Sequence, residues 1–153
     1  MPVRGEQTPR FNVRAYGIWI NSQGDVLVSD EAHHGHRICK FPGGGLLYGE
    51  GLVDCLKREW MEETGLSPRI VRHYYTTDFF QPSAFAPDEQ VLSVYYLVTC
   101  EETLATVHSL EGLHRFRWVP LVALAQDCMT LPIDRRVAEQ LHADFAETLA
   151  QVA

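Results

Sequence analysis

Glu59, Glu62 and Glu63 are spaced so that a helix through them carries three carboxylates on one side, at i, i+3 and i+4. Like charges this close destabilise one another unless something neutralises them. A hard divalent cation does so: Mg²⁺ takes carboxylate oxygens, water and substrate phosphates, with Mn²⁺ as an alternative ion. A Glu cluster alone reads as a solvated helix face. Here Pro42-Gly43-Gly44-Gly45 precedes it, a run able to turn sharply and bring main-chain groups close to a ligand. Turn, helix and acid cluster together read as a site for a phosphorylated ligand.

The helix that must present these groups is legible. From about Gly51 to Thr64, Leu52, Val53, Leu56 and Trp60 recur at spacings of three and four, the period of an amphipathic helix. Cys55 sits beside that stripe as a small core residue, and Gly65 stands where a left-handed residue ends the helix.

The stretch Gly44–Leu66, GGLLYGEGLVDCLKREWMEETGL, resembles the signature of the Nudix hydrolases, G-x5-E-x7-R-E-U-x-E-E-x-G-U, with U a bulky apolar residue. Trp60 and Leu66 fill the U positions, and every specified position is satisfied. The resemblance implies an α/β fold, a Nudix-type α/β/α sandwich with a mixed β-sheet. It also implies attack of water on a phosphorus of a diphosphate linkage, with metal ions lowering the pKa of bound water and offsetting charge on the phosphate oxygens. By position, Glu59, Glu62 and Glu63 bind metal, with the carbonyl of Gly43 as a further ligand. Arg58 orients the helix carboxylates and Glu50 is structural. The general base is either a helix Glu or a Glu from a distant loop; the loop candidate is Glu89, in Ala86-Pro87-Asp88-Glu89 before an apolar strand.

The 153 residues suffice for one domain with a real core. A hydrophobic share of 46% with 22% charged residues is ordinary for a globular chain, and no apolar run reaches the length of a membrane span. The start, MPVRGEQTPRFNV, lacks a secretory apolar stretch. Cys39, Cys55, Cys100 and Cys128 are scattered without a CxxC pair, so the chain reads as cytoplasmic with free thiols. A net charge of −7 argues against a non-specific nucleic-acid surface and suits small nucleotide-type substrates brought in with metal. The composition is compatible with a homodimer.

Strands are expected at Phe11–Ile20, Asp25–Ser29, Arg69–Phe80, Gln90–Cys100 and His114–Val119, with a turn at Asn21–Gly24. A brief helix should follow Pro120, and a last helix should run from about Arg135, capped by Asp134, with Val137, Leu141, Phe145 and Leu149 facing inward. His33, His34, His36 and Arg37 read as a loop; three imidazoles at this spacing suit zinc, but an exposed loop at the substrate entrance is the plainer reading. Tyr16 and Trp19 read as core or rim aromatics.

The box does not encode the leaving group. Pro82, sixteen residues beyond Leu66, lies close to where ADP-ribose pyrophosphatases of the family carry a proline, although a turn explains it equally. The compact length better resembles nucleoside-triphosphate pyrophosphohydrolases. The expected activity is therefore cleavage of a nucleoside diphosphate linked to a variable moiety, triphosphates ahead of ADP-ribose or nucleotide sugars. Two other classes compete: a non-catalytic nucleotide-binding regulatory module, which typically loses the box carboxylates retained here, and an isopentenyl-diphosphate isomerase, for which Cys39 is the suggestive thiol.

Overall fold

Strand β1, Arg10–Trp19, is buried continuously from Ala15 to Trp19, which happens only when both faces of a strand are covered. Side chains alternate across a strand, and the core divides accordingly. Tyr16 and Ile18 face one cluster with Phe41, Tyr95, Leu121, Leu124, Val137 and Leu141. Ala15 and Trp19 face a second with Cys55, Leu56, Trp60 and Leu66. Strand β2, Asp25–His33, splits likewise: Val26 and Val28 face the first cluster, Leu27 the second. Helices therefore cover both sides of the strands, the α/β/α layering implied by the sequence.

The computed structural model describes residues 8–33, 35–101 and 114–152. After β1 and β2 come β3 (His36–Lys40), β4 (Gly43–Gly45), α1 (Leu52–Thr64), β5 (Arg69–Thr76), β6 (Glu89–Thr99) and β7 (His114–Pro120). A 3₁₀ turn, Leu121–Ala123, leads into α2 (Leu124–Asp127), and α3 spans Pro132–Val152. The strands form a mixed sheet, β4-β1-β6-β5, and an antiparallel sheet, β3-β2-β7. In the mixed sheet β1 runs parallel to β6 from Arg10↔Glu89 to Trp19↔Val98, and antiparallel to β4. The first turn forms as expected: Asn21 Oδ1 accepts from the amides of Gln23 and Asp25, and Gly24 takes φ 81°.

Three sequence expectations are corrected. The histidine segment is a β-hairpin, with His33 opposite His36 and Ala32 opposite Arg37. Period-two alternation is hard to read there because β2 and β3 carry charged residues along their edges; His34 lies outside the described residues. The thiols are not all free: Cys39 and Cys128 form a disulfide, their Cα atoms 5.7 Å apart across a sequence separation of 89, which no local spacing announces. Cys55 and Cys100 stay outside it.

The last helix begins earlier than expected, at Pro132, whose fixed φ suits a first helical position. Asp134 is consequently not a cap. It lies inside the first turn, 1% exposed, and accepts a 2.5 Å hydrogen bond from the Tyr95 hydroxyl across the core. Val137 and Leu141 are buried and Phe145 is half-buried against them, as expected; the Leu149 side chain lies outside the described residues.

Burial pushes the Asp134 carboxyl up from 3.8 to about 6. The folded chain thus holds this proton where the unfolded chain has released it, and the group's contribution to stability is lost as pH rises from about 4 through 6. Replacing Asp134 with Asn keeps an acceptor for Tyr95 and removes the buried charge. Between pH 4 and 7.5 the stability difference should move in favour of Asp134→Asn by on the order of 3 kcal/mol in urea unfolding. A difference independent of pH would contradict the assignment.

Candidate active site

The site is built where β4 leads into α1. Gly43 has φ 154°, and a Cβ there would overlap the Ala15 carbonyl and Tyr16 of the neighbouring strand. A Cβ on Gly44 would fall within the Glu59 carboxylate, so the missing side chain is what lets Glu59 lie flat on the β4 backbone. The helix itself is drawn close to the sheet: Trp60 Nε1 donates to the Pro42 carbonyl at 3.1 Å, and its ring rests over Gly17. At the start of α1, Asp54 accepts from the Gly51 amide at 3.1 Å; at its end Gly65 is left-handed at φ 75° and bonds back to Met61.

Arg58 ties the acid cluster together. Its Nε and Nη2 donate to the two oxygens of Glu50 at 3.0 and 2.8 Å, a bidentate pair. Nη1 reaches Glu59 at 3.0 Å and Glu62 at 3.3 Å, while Nη2 also bonds the Gly45 carbonyl at 3.0 Å. Glu50 in turn accepts from the Leu47 amide, closing the turn before the helix. The Arg58 hydrogen bonds, with that amide, hold the Glu50 carboxyl down at about 2, and Arg58 is itself raised above its ordinary value, chiefly by Glu50. The two residues form a fixed charge pair over the working pH range.

The three helix carboxylates meet different surroundings. Glu62 is open at 46% side-chain exposure, Glu59 is at 17% against the glycine strand, and Glu63 is buried. Among the described residues no three acidic, imidazole or thiol side chains converge as a self-sufficient metal cage. Mg²⁺ seldom uses such cages, binding through one or two carboxylates, water and substrate phosphates. The donor set, with the recess that Gly44 leaves for Glu59, fits that mode.

Beside the carboxylates, rather than over them, lies a cavity of about 260 Å³ lined by residues including Arg14, Tyr16, Lys40, Glu89, Pro82 and Asp134. None of the helix carboxylates lines it. The link is Arg14, whose β1 position pairs with Gly45 of β4 and whose charge is felt by Glu59. Burial opposes the charge on Arg14, but Tyr16, Glu59 and Glu31 together outweigh it. Lys40, 6% exposed, is kept charged in the same way by Tyr16 and by Glu31, whose carboxylate stands 2.8 Å from its ammonium. The Tyr16 ring lies 5.6 Å from Arg14 and 5.9 Å from Lys40, presenting its face to both cations.

Glu89 is the first residue of β6 rather than part of the preceding loop. Asn12 and Arg10 donate to its two oxygens at 3.0 and 2.9 Å, and the Asn12 bond chiefly holds its pKa below the ordinary value. It stands at the cavity wall; no hydrogen bond or ion pair joins it to the box residues among the described contacts. Sequence reasoning singled out neither Arg14 nor Lys40. The available signal was a charge set in an apolar run, Val13-Arg14-Ala15 and Cys39-Lys40-Phe41.

Residues 10–141 match the NUDIX domain family. An RNA pyrophosphohydrolase of Psychrobacter sp. (strain PRwf-1) is 43% identical over 61 residues, 40% of this chain and 34% of the relative. A protein of the same name from Psychrobacter cryohalolentis is 44% identical over 54 residues, 35% of this chain and 30% of the relative. The chain thus spans about a third of the length of the curated relatives it matches. Among solved structures, a MutT from work on the Aliivibrio salmonicida and Vibrio cholerae proteins superposes with a TM-score of 0.70 at 22% identity, covering 88% of this chain and 99% of that one. The E. coli ORF135 protein gives 0.72 at 17% identity, covering 91% and 94%. These two likenesses establish the fold. With the family match covering most of the chain and the complete Gly44–Leu66 signature held in an Arg58-centred carboxylate cluster, the chain belongs to the NUDIX domain family.

Proposed function

We propose that the chain is a metal-dependent pyrophosphohydrolase acting on a nucleoside diphosphate linked to a variable moiety, with nucleoside triphosphates favoured. The observation that carries this reading is the Arg58-organised carboxylate cluster set beside a cavity lined by two cations, the half-buried Arg14 and the buried Lys40. A concave site with a few placed charges suits a small anionic ligand. The name borne by the Psychrobacter relatives supports cleavage of the same kind of anhydride. Retention of Glu59, Glu62 and Glu63 favours an enzyme over a non-catalytic binding module. The isomerase reading loses support, because Cys39 is buried and does not line the cavity.

Glu59, Glu62 and Glu63, with the Gly43 carbonyl, would hold Mg²⁺, or Mn²⁺ in its place. When bound, the ion supplies an acidified water and offsets charge on the phosphate oxygens. The protein's own groups do the rest. Arg58 bridges Glu59 and Glu62 and holds both on one side of α1. Arg14 and Lys40 attract and orient the anionic end of a ligand entering the cavity. Glu89, tethered through both oxygens, acts as a positioning group at the cavity wall, which leaves the general base among the helix carboxylates, Glu59 first. The Pro82↔Gln90 bridge accounts for Pro82 as part of the hairpin closing the cavity, so that residue lends the ADP-ribose alternative no separate support. Among the described residues no helix is long and apolar enough to cross a membrane. We propose free cytoplasmic nucleotides as the substrates.

The test is a panel of nucleoside triphosphates, ADP-ribose, a nucleotide sugar and a 5′-triphosphorylated oligoribonucleotide, followed by phosphate and nucleotide release with Mg²⁺. Triphosphates should turn over fastest, at alkaline pH, and full chelation should abolish release until Mg²⁺ is restored. Release that survives chelation would remove the metal mechanism; no release from any substrate would favour the binding module. For Glu89→Gln, kcat should change by less than about threefold, because both Glu89 oxygens are already engaged by Arg10 and Asn12. A fall of roughly 10²–10⁴-fold would instead make Glu89 the general base.

A further inference from the structure

Cys39 and Cys128 sit behind the cavity and join two of its walls. Cys39 lies between Ile38 and Lys40, both cavity residues on β3. Shortly after Cys128 come Leu131, Pro132, Ile133 and Asp134, which line the opposite side. The same two segments exchange hydrogen bonds: the Cys39 amide donates to Thr130 Oγ1 at 2.9 Å, and the Thr130 amide donates to the Cys39 carbonyl at 3.2 Å.

The sulfurs also have a chemical neighbour. Arg117 Nη2 stands 3.8 Å from Cys39 Sγ and 3.6 Å from Cys128 Sγ, and Asp30 holds that guanidinium through a 2.6 Å bond to its Nε. A cation at this distance stabilises a departing thiolate, which speeds exchange. Access is unequal, with Cys128 half-buried and Cys39 buried. Cys55 makes the contrast: burial pushes its thiol up to about 11, leaving it inert at neutral pH.

We propose that Cys39–Cys128 is a thiol–disulfide exchange site whose redox state sets how firmly the cavity walls are held. A dithiol reductant would then tune substrate affinity without acting on Glu59, Glu62 or Glu63. One thiolate of the reductant attacks Cys128 Sγ, forming a mixed disulfide and expelling the Cys39 thiolate beside Arg117. The second thiolate of the reductant attacks the mixed disulfide and releases Cys128 as a thiolate; both cysteines then take up protons. The protein gains two electrons and two protons, and the reductant leaves as its cyclic disulfide. In a compartment that keeps thiols reduced, the open form prevails until oxidant rises. The effect on affinity rests on the nucleotide reading of the cavity; the exchange chemistry does not.

The test compares the air-oxidised chain with the same chain after dithiothreitol. Peptide mapping after acid quench and alkylation should show Cys39 linked to Cys128 in the first sample and both alkylated in the second. Amide hydrogen exchange over residues 128–134 should quicken on reduction while residues 52–64 stay unchanged. With the best substrate, KM should rise by about threefold or more on reduction and kcat should hold within about twofold, the signature of lost preorganisation rather than lost chemistry. Cys128→Ser should show the reduced-form KM with or without dithiothreitol. Absence of the linked peptide, unchanged exchange at 128–134, or a Cys128→Ser protein that still responds to the dithiol would each overturn the proposal. Absence of turnover on every nucleotide, with the peptide linked and the exchange difference present, would count against the hydrolase reading alone.

Discussion

Four acidic side chains crowd the junction of β4 and α1, and a single guanidinium makes their arrangement tolerable. Arg58 spends two of its donors on Glu50, which anchors it to the turn before the helix, and directs the others to Glu59, Glu62 and the Gly45 carbonyl. Without it, Glu59, Glu62 and Glu63 would repel one another across less than one and a half helical turns. The bidentate pair with Glu50 is also directional, so the guanidinium plane is fixed and carboxylates at two depths are held in register. This explains why the turn, the helix and the glycine strand act as one unit.

That unit needs a rigid support, and β1 provides it. Its alternate residues enter different cores: Ala15, Gly17 and Trp19 lie beneath α1, whereas Tyr16 and Ile18 face α3. The contact of Trp60 with Gly17 sets the height of α1 over the sheet, and the absence of a Cβ at Gly44 sets how closely Glu59 approaches β4. Tyr16 then carries the arrangement to the other face. It stacks on Tyr95, whose hydroxyl holds Asp134 of α3, and its ring meets both cavity cations. The box carboxylates and the cavity are thus both supported by β1, which carries one core on each of its faces.

What the sequence disclosed follows from how local the information is. The helix period from Leu52 to Trp60, the left-handed Gly65 and the acid spacing are encoded within a few turns, and α1 forms between Leu52 and Thr64 much as they require. β1 and β6 were equally visible in their β-branched and aromatic residues. The cavity was not legible, because Arg14, Lys40 and Asp134 come together only through the parallel β1–β6 pairing and the return of α3. The Cys39–Cys128 bridge joins residues 89 apart and likewise depends on tertiary closure. Asp134 was misread as a cap because Asp before a helical run favours that position; Pro132 starts the helix earlier and turns Asp134 toward Tyr95.

We propose that Arg58, through Glu50, positions the helix carboxylates for hydrolysis. The direct measurement is steady-state turnover of Arg58→Lys beside its far-ultraviolet circular dichroism. Lysine retains the charge but cannot bridge Glu50, Glu59 and Glu62 in one plane. An unchanged spectrum is expected, with a kcat lower by on the order of 10²-fold, since a small misplacement of reacting groups is that damaging. A folded Arg58→Lys protein with wild-type kcat would contradict it.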